Sequence, residues 1–184
     1  SGCFTADGSC AVTACKDKIV RVWDAADGRF LHELQGEADL AACSTGAAGW
    51  LAGATRGKWP LRLYRQDGLS PVAEIPAPKP DLAVLAALAV SPDGRFAAVS
   101  AFSVPARLVA LPSGDPVEMP GPGRKDTVYT LAFSPDGRHL AVAHAQTVLY
   151  RVPDGEAPCR EAGKFGSPGS QAPISLAFSP DGRL

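Results

Sequence analysis

The chain has 184 residues, of which 46% are hydrophobic and 20% charged, a make-up that supports a folded core and argues against disorder. Its formal net charge of −1 lacks the basic excess that binding to nucleic acid or an anionic membrane draws on, so no nucleic-acid partner is expected. The longest apolar run, Leu82 to Val90, falls far short of the roughly 20 residues of a spanning helix, so no membrane span is expected either.

Cys3-Phe4-Thr5 reads as the tail of a first strand, followed by the turn Thr5-Ala6-Asp7-Gly8-Ser9. Thr13 falls on a second strand, Asp17 just before a third (Lys18 to Trp23), and Asp27-Gly28 turns the chain into a fourth (Phe30 to Leu34). In the next stretch Ser44-Thr45-Gly46 takes the place of the first turn. Leu61 to Tyr64 is a third strand, Asp67-Gly68 a turn, and Val72 to Ile75 a fourth strand. Then Ala86, Leu88 and Val90 alternate with small residues, as a half-buried strand does. They lead through Ser91 to Arg95 into Phe96 to Val99, then into Arg107 to Leu111 and the turn Ser113-Gly114. Tyr129, Leu131 and Phe133 repeat the alternation, with Ser134 to Arg138, His139 to Val142, Thr147 to Val152 and Asp154-Gly155 behind them. Ile174, Leu176 and Phe178 begin the pattern once more before Ser179 to Arg183.

The pentapeptide Ser-Pro-Asp-Gly-Arg thus recurs from Ser91, Ser134 and Ser179, a period near 43 to 45 residues that marks a repeat array. Its proline suits the first central position of a type I turn. Asp93, Asp136 and Asp181 follow, and then Gly94, Gly137 and Gly182, which can take positive φ. Each period reads as a four-stranded antiparallel meander. One such sheet cannot bury both faces, so neighbouring sheets must stack, and a ring of blades achieves this. The expected fold is therefore all-β, a β-propeller of about four blades, near residues 1–37, 38–80, 81–124 and 125–169. Residues 170–184 are expected to form an incomplete further blade, and the whole an arc of a seven- or eight-bladed ring. The remaining blades would come from the same parent chain or another copy.

Lys18-Ile19-Val20-Arg21-Val22-Trp23-Asp24 followed by Asp27-Gly28 resembles the third strand and turn of the WD-repeat β-propeller family, in a bacterial type with degenerate repeats. The resemblance implies that Thr13, Asp17 and Trp23 belong to a structural hydrogen-bonded tetrad, whose histidine has no counterpart here. Tyr64, Val109 and Tyr150 stand where Trp would be in the later repeats, and His144 stands at the position of Asp17. The Ser-Pro-Asp-Gly turn is also similar to that of the periplasmic TolB-type propellers and their peptidase relatives.

In a meander, short turns after first and third strands lie at one end of the sheet and longer connections at the other. The longer loops are the expected partner-binding surface. Arg56, Lys58, Trp59, Arg124, Lys125 and Phe165 are the candidates there, with Trp59 and Phe165 as aromatic anchors. The alternative is an ordinary solvated loop surface with Trp59 covering a core edge. No Gly-x-Ser-x-Gly elbow, HExxH pair or complete P-loop is present. Neither catalytic residues nor a cofactor or metal is therefore expected. The functional expectation is a non-catalytic scaffold that binds a protein or peptide. The alternative is a regulatory or sensor module of a multidomain bacterial enzyme such as a protein kinase or peptidase. Five cysteines without metal-ligand spacing are expected to be reduced thiols, in a cytoplasmic protein.

Overall fold

A computed structural model describes residues 2–5, 7–35, 40–43, 50–53, 61–64, 71–75, 85–101, 104–120, 127–154, 157–166, 173 and 175–182. Sheet 1 comprises β1 (Gly2–Phe4), β2 (Cys10–Ala14), β3 (Ile19–Asp24) and β4 (Phe30–Gln35). Sheet 2 comprises β5 (Leu40–Cys43), β6 (Trp50–Gly53), β7 (Leu61–Tyr64) and β8 (Pro71–Ile75). Sheet 3 comprises β9 (Leu85–Val90), β10 (Phe96–Ala101), β11 (Val104–Ala110) and β12 (Pro116–Val117). Sheet 4 comprises β13 (Thr130–Phe133), β14 (His139–Ala143), β15 (Thr147–Arg151) and β16 (Arg160–Phe165). Each sheet is an antiparallel meander in which strands adjacent in sequence pair. The period of two read from the sequence sets the register: Leu131, Val142 and Val148 sit opposite one another, as do Phe133, Leu140 and Tyr150.

The sheets stack in sequence order, chiefly through their first strands: β1 on β5, β5 on β9 and β9 on β13. Three apolar layers fill the gaps. Val12, Ala14, Val20 and Val22 of sheet 1 meet Tyr64 of sheet 2. Leu63, on the other side of β7, packs with Val90, Ala97, Val99 and Val109 of sheet 3. The largest layer joins Ala98 and Leu108 of sheet 3 to Leu140, Val142 and Tyr150 of sheet 4. All six residues of β10 are buried, because this second strand lies inside its sheet and has a neighbouring sheet on either face. Burying one such Leu or Val stabilises the fold by about 1.5–3 kcal/mol relative to leaving it in water.

Two expectations change. Residues 175–178 form no strand: a first strand without a second to pair with has no ladder to join. Cys3 is disulfide-bonded, not reduced, whereas Cys10, Cys15 and Cys159 are free thiols.

Candidate functional site

The turns at one end of the sheets are small hydrogen-bonded units, and the serine is their pivot. In the third sheet Ser91 Oγ donates to Asp93 Oδ1 at 2.7 Å and accepts from Phe96 N at 2.9 Å, while Arg95 N donates to the same Asp93 oxygen at 3.0 Å. Sheet 4 repeats this: Ser134 Oγ to Asp136 Oδ1 at 2.6 Å, Arg138 N to Asp136 Oδ1 at 3.0 Å and His139 N to Ser134 Oγ at 2.9 Å. Thr5, Asp7, Ser9 and Cys10 do the same in sheet 1, and Ser179 Oγ donates to Asp181 Oδ1 near the end of the chain. Gly94, Gly137 and Gly182 have φ of 72°, 70° and 82°, the left-handed region that side chains avoid. The bonds hold the aspartates ionised. Asp136 titrates below the usual carboxylate range because of the Ser134 hydroxyl first and the Arg138 amide second. Asp93 is lowered by Ser91 and Arg95 against an opposing burial effect that is the largest single influence on it. The Pro, Asp and Gly of each turn are plain in the sequence, but the hydroxyl that ties each unit together, buried at Thr5, Ser91 and Ser134, shows its role only in the fold.

At the opposite end of sheet 1 the expected tetrad is half formed. Trp23 Nε1 donates to Thr13 Oγ1 at 2.9 Å, a bond that spans β2 and β3 and fixes the indole on the sheet. Asp17 is not brought to that pair. Its Oδ1 accepts from Ile19 N at 3.0 Å and its Oδ2 from Arg21 Nη2 at 2.9 Å, and these two bonds, in that order, lower its pKa. His144 copies the turn-closing part of this role in sheet 4, where its Nδ1 accepts from Gln146 N at 3.3 Å.

Of the candidate partner-binding residues, Phe165 ends β16 opposite Thr147, which follows the turn from β14. It therefore lies at the expected loop end, and it is 47% exposed. Arg56, Lys58, Trp59, Arg124 and Lys125 lie outside the described residues. Among the described residues, no group of three or more His, Cys, Asp or Glu is placed to hold a metal ion. No helix among them is long and apolar enough to cross a membrane. Burial pushes the Cys159 thiol up to about 11, away from the reactive thiolate form.

Stacked four-stranded meanders of this kind define a β-propeller, and 983 solved chains match the structure. One is the β-propeller domain of Cps50 (Swd1) from Myceliophteria thermophila, with a TM-score of 0.69 and 15% identity over 91% of this chain. The match covers 59% of that chain. Residues 1–24 and 118–149 match the family model for the WD domain, G-beta repeat, so these two segments are similar to WD40 repeats, on a propeller fold. A search of curated protein sequences gives no match. WD40 propellers generally serve as protein-interaction scaffolds. A fold shared so widely does not by itself specify a partner.

Proposed function

We propose that this chain is a non-catalytic scaffold that binds a protein or peptide through the end of the sheets carrying the connections between second and third strands and between successive sheets. The observation that carries this reading is the contrast between the ends. The turn end is built of short, hydrogen-bonded units. The other end carries the exposed Phe165 ring on the last strand of a rigid sheet. An aromatic anchor on a rigid element loses little conformational entropy when a partner covers it. Arg56, Lys58, Trp59, Arg124 and Lys125 are proposed to complete that surface, in blades with the boundaries given above. The disulfide at Cys3 favours an oxidising compartment over the cytoplasm.

Affinity purification of the full chain against a triple variant, Arg56→Ala, Trp59→Ala and Phe165→Ala, tests this proposal. Partners captured by the native chain are expected to be lost from the variant while its melting temperature stays within a few degrees. Equal recovery by both would count against the loop end.

A further inference from the structure

The turn end of sheets 3 and 4 carries a concentration of guanidinium groups that the scaffold does not need. Arg95 and Arg138 occupy the same position in successive Ser-Pro-Asp-Gly-Arg turns. Together with Arg151 they line a cleft of about 180 Å³. A second hollow of about 240 Å³ shares Arg151, Val152 and Asp154 with it and adds Arg160. Arg95 is held by Asp93 at 2.6 Å, with Asp154 at 3.9 Å. Arg138, Arg151 and Arg160 make no ion pair among the described residues. Of the nearby carboxylates, Asp136 already accepts from the Ser134 hydroxyl and the Arg138 amide through Oδ1.

Two of these arginines face each other across strands. Arg151 and Arg160 are direct cross-strand partners on β15 and β16, and like charges opposite each other on one face of a sheet repel. Sheet 1 shows how the same position is otherwise used. There the residue after the strand-three aromatic is Asp24, which meets Arg29 at 3.4 Å. In sheet 4 the carboxylate is replaced by Arg151, and the neutral arrangement becomes a doubly positive one. A repeat unit that gives up a favourable pair for a repulsive one is a mark of a site kept for a ligand.

We infer that the cleft between the turns of sheets 3 and 4 binds an acidic peptide segment of a protein partner, with Arg138, Arg151 and Arg160 pairing with successive carboxylates. The two hollows joined through Arg151 suit an extended chain with several charges better than a single compact anion. Guanidinium groups pair with carboxylates by parallel N–H···O bonds, which strengthens each contact and fixes its geometry. This surface is at the other end of the sheets from Phe165 and stands or falls independently of the loop-end proposal.

Fluorescence anisotropy of the full chain with a fluorescein-labelled hexaglutamate peptide tests the inference. The native chain is expected to bind, with affinity falling as salt rises. The double variant Arg138→Gln, Arg151→Gln is expected to bind at least roughly tenfold more weakly, given the strength of charge-assisted bonds. Arg107→Gln, an exposed arginine elsewhere on β11, should bind as the native chain does. Arg160→Glu should weaken the peptide and raise the melting temperature, because it turns the repulsive pair into an attractive one. The inference is overturned by absence of binding to the native chain, by unchanged binding in the double variant, or by an equal loss in Arg107→Gln. Displacement of the peptide by an equimolar amount of inorganic phosphate would overturn the extended-peptide assignment, and a lower melting temperature in Arg160→Glu would remove the like-charge argument.

Discussion

Sheets 1 and 4 present the same face of the same repeat in two settings. In sheet 4 that face carries Leu131, Phe133, Leu140 and Tyr150 and is pressed against sheet 3, so Tyr150 is only 1% exposed. In sheet 1 the matching row is Phe4, Ala11, Trp23 and Phe30. Phe4 is 64% and Phe30 47% exposed, with Trp23 meeting Phe30 edge to face at 5.7 Å. The strand pattern is the same, and the energetic role differs because burial comes from the neighbouring sheet and not from the strand itself. In sheet 1 the Trp23 indole is tied to Thr13 and meets Phe30 edge to face, whereas Tyr150 is covered by the layer around it.

The largest test of that contrast is truncation. Tyr150→Ala should destabilise the fold by about 3–5 kcal/mol, as loss of a large core aromatic does, while Phe4→Ala should cost under about 1 kcal/mol. Urea unfolding of the two variants measures both, and a comparable loss from Phe4 would mean that its face is covered in solution. Ser134→Ala should cost about 1–3 kcal/mol, because it leaves the part-buried His139 amide and Asp136 without their shared partner. Trp23→Phe should cost about 1 kcal/mol through loss of the Thr13 bond, and thermal melts would register each.

The pH dependence separates the sheets at alkaline pH. Burial raises Tyr150 from 10.0 to about 12 and Cys159 from 9.0 to about 11. Both groups stay neutral when folded and ionise more readily when unfolded. Their contribution is therefore full below pH 9 and is lost progressively toward pH 12. Tyr150→Phe together with Cys159→Ala should flatten that decline in a pH series of melting temperatures. Asp7, Asp93 and Asp136 act in the opposite direction. Their folded pKa values are lowered, so the stability they add is present above pH 4 and lost on acidification through the folded values. The smallest expected effect concerns Lys18, whose φ of 65° places a side chain in the left-handed region. Lys18→Gly should raise stability by up to about 1 kcal/mol in the same melts.

Much of the fold was legible because each turn repeats its chemistry. Ser91 to Arg95 and Ser134 to Arg138 marked the hairpins, and the alternation around Leu88 and Leu131 marked the strands, although in sheet 3 both faces are buried. The strand at Leu61 to Tyr64 coincides with β7, and those at Phe30, Phe96, His139 and Thr147 begin where β4, β10, β14 and β15 do. Residues 175–178 misled because alternation specifies a face, whereas a strand also needs a hydrogen-bonded neighbour. Cys3 misled because cysteine spacing in the chain does not say which thiols pair. Thiol titration of the denatured protein should find fewer than five free thiols before reduction and five after. In the functional surfaces, Phe165 was legible as an aromatic of a long loop, which the structure places at the end of β16, but the cleft around Arg138 and Arg151 was not. Arg138 belongs to a turn and Arg151 to a strand, and only the folded register sets Arg151 opposite Arg160.

Successive sheets share apolar layers face to face. A double-mutant cycle in urea on Leu108→Ala in sheet 3 and Leu140→Ala in sheet 4 tests it most directly, since both lie in one layer. A coupling energy of about 0.5–3 kcal/mol is expected for this pair, against additivity within about 0.5 kcal/mol for Leu108→Ala with Val12→Ala in the layer between sheets 1 and 2. Additive losses at Leu108 and Leu140 would contradict the stacking.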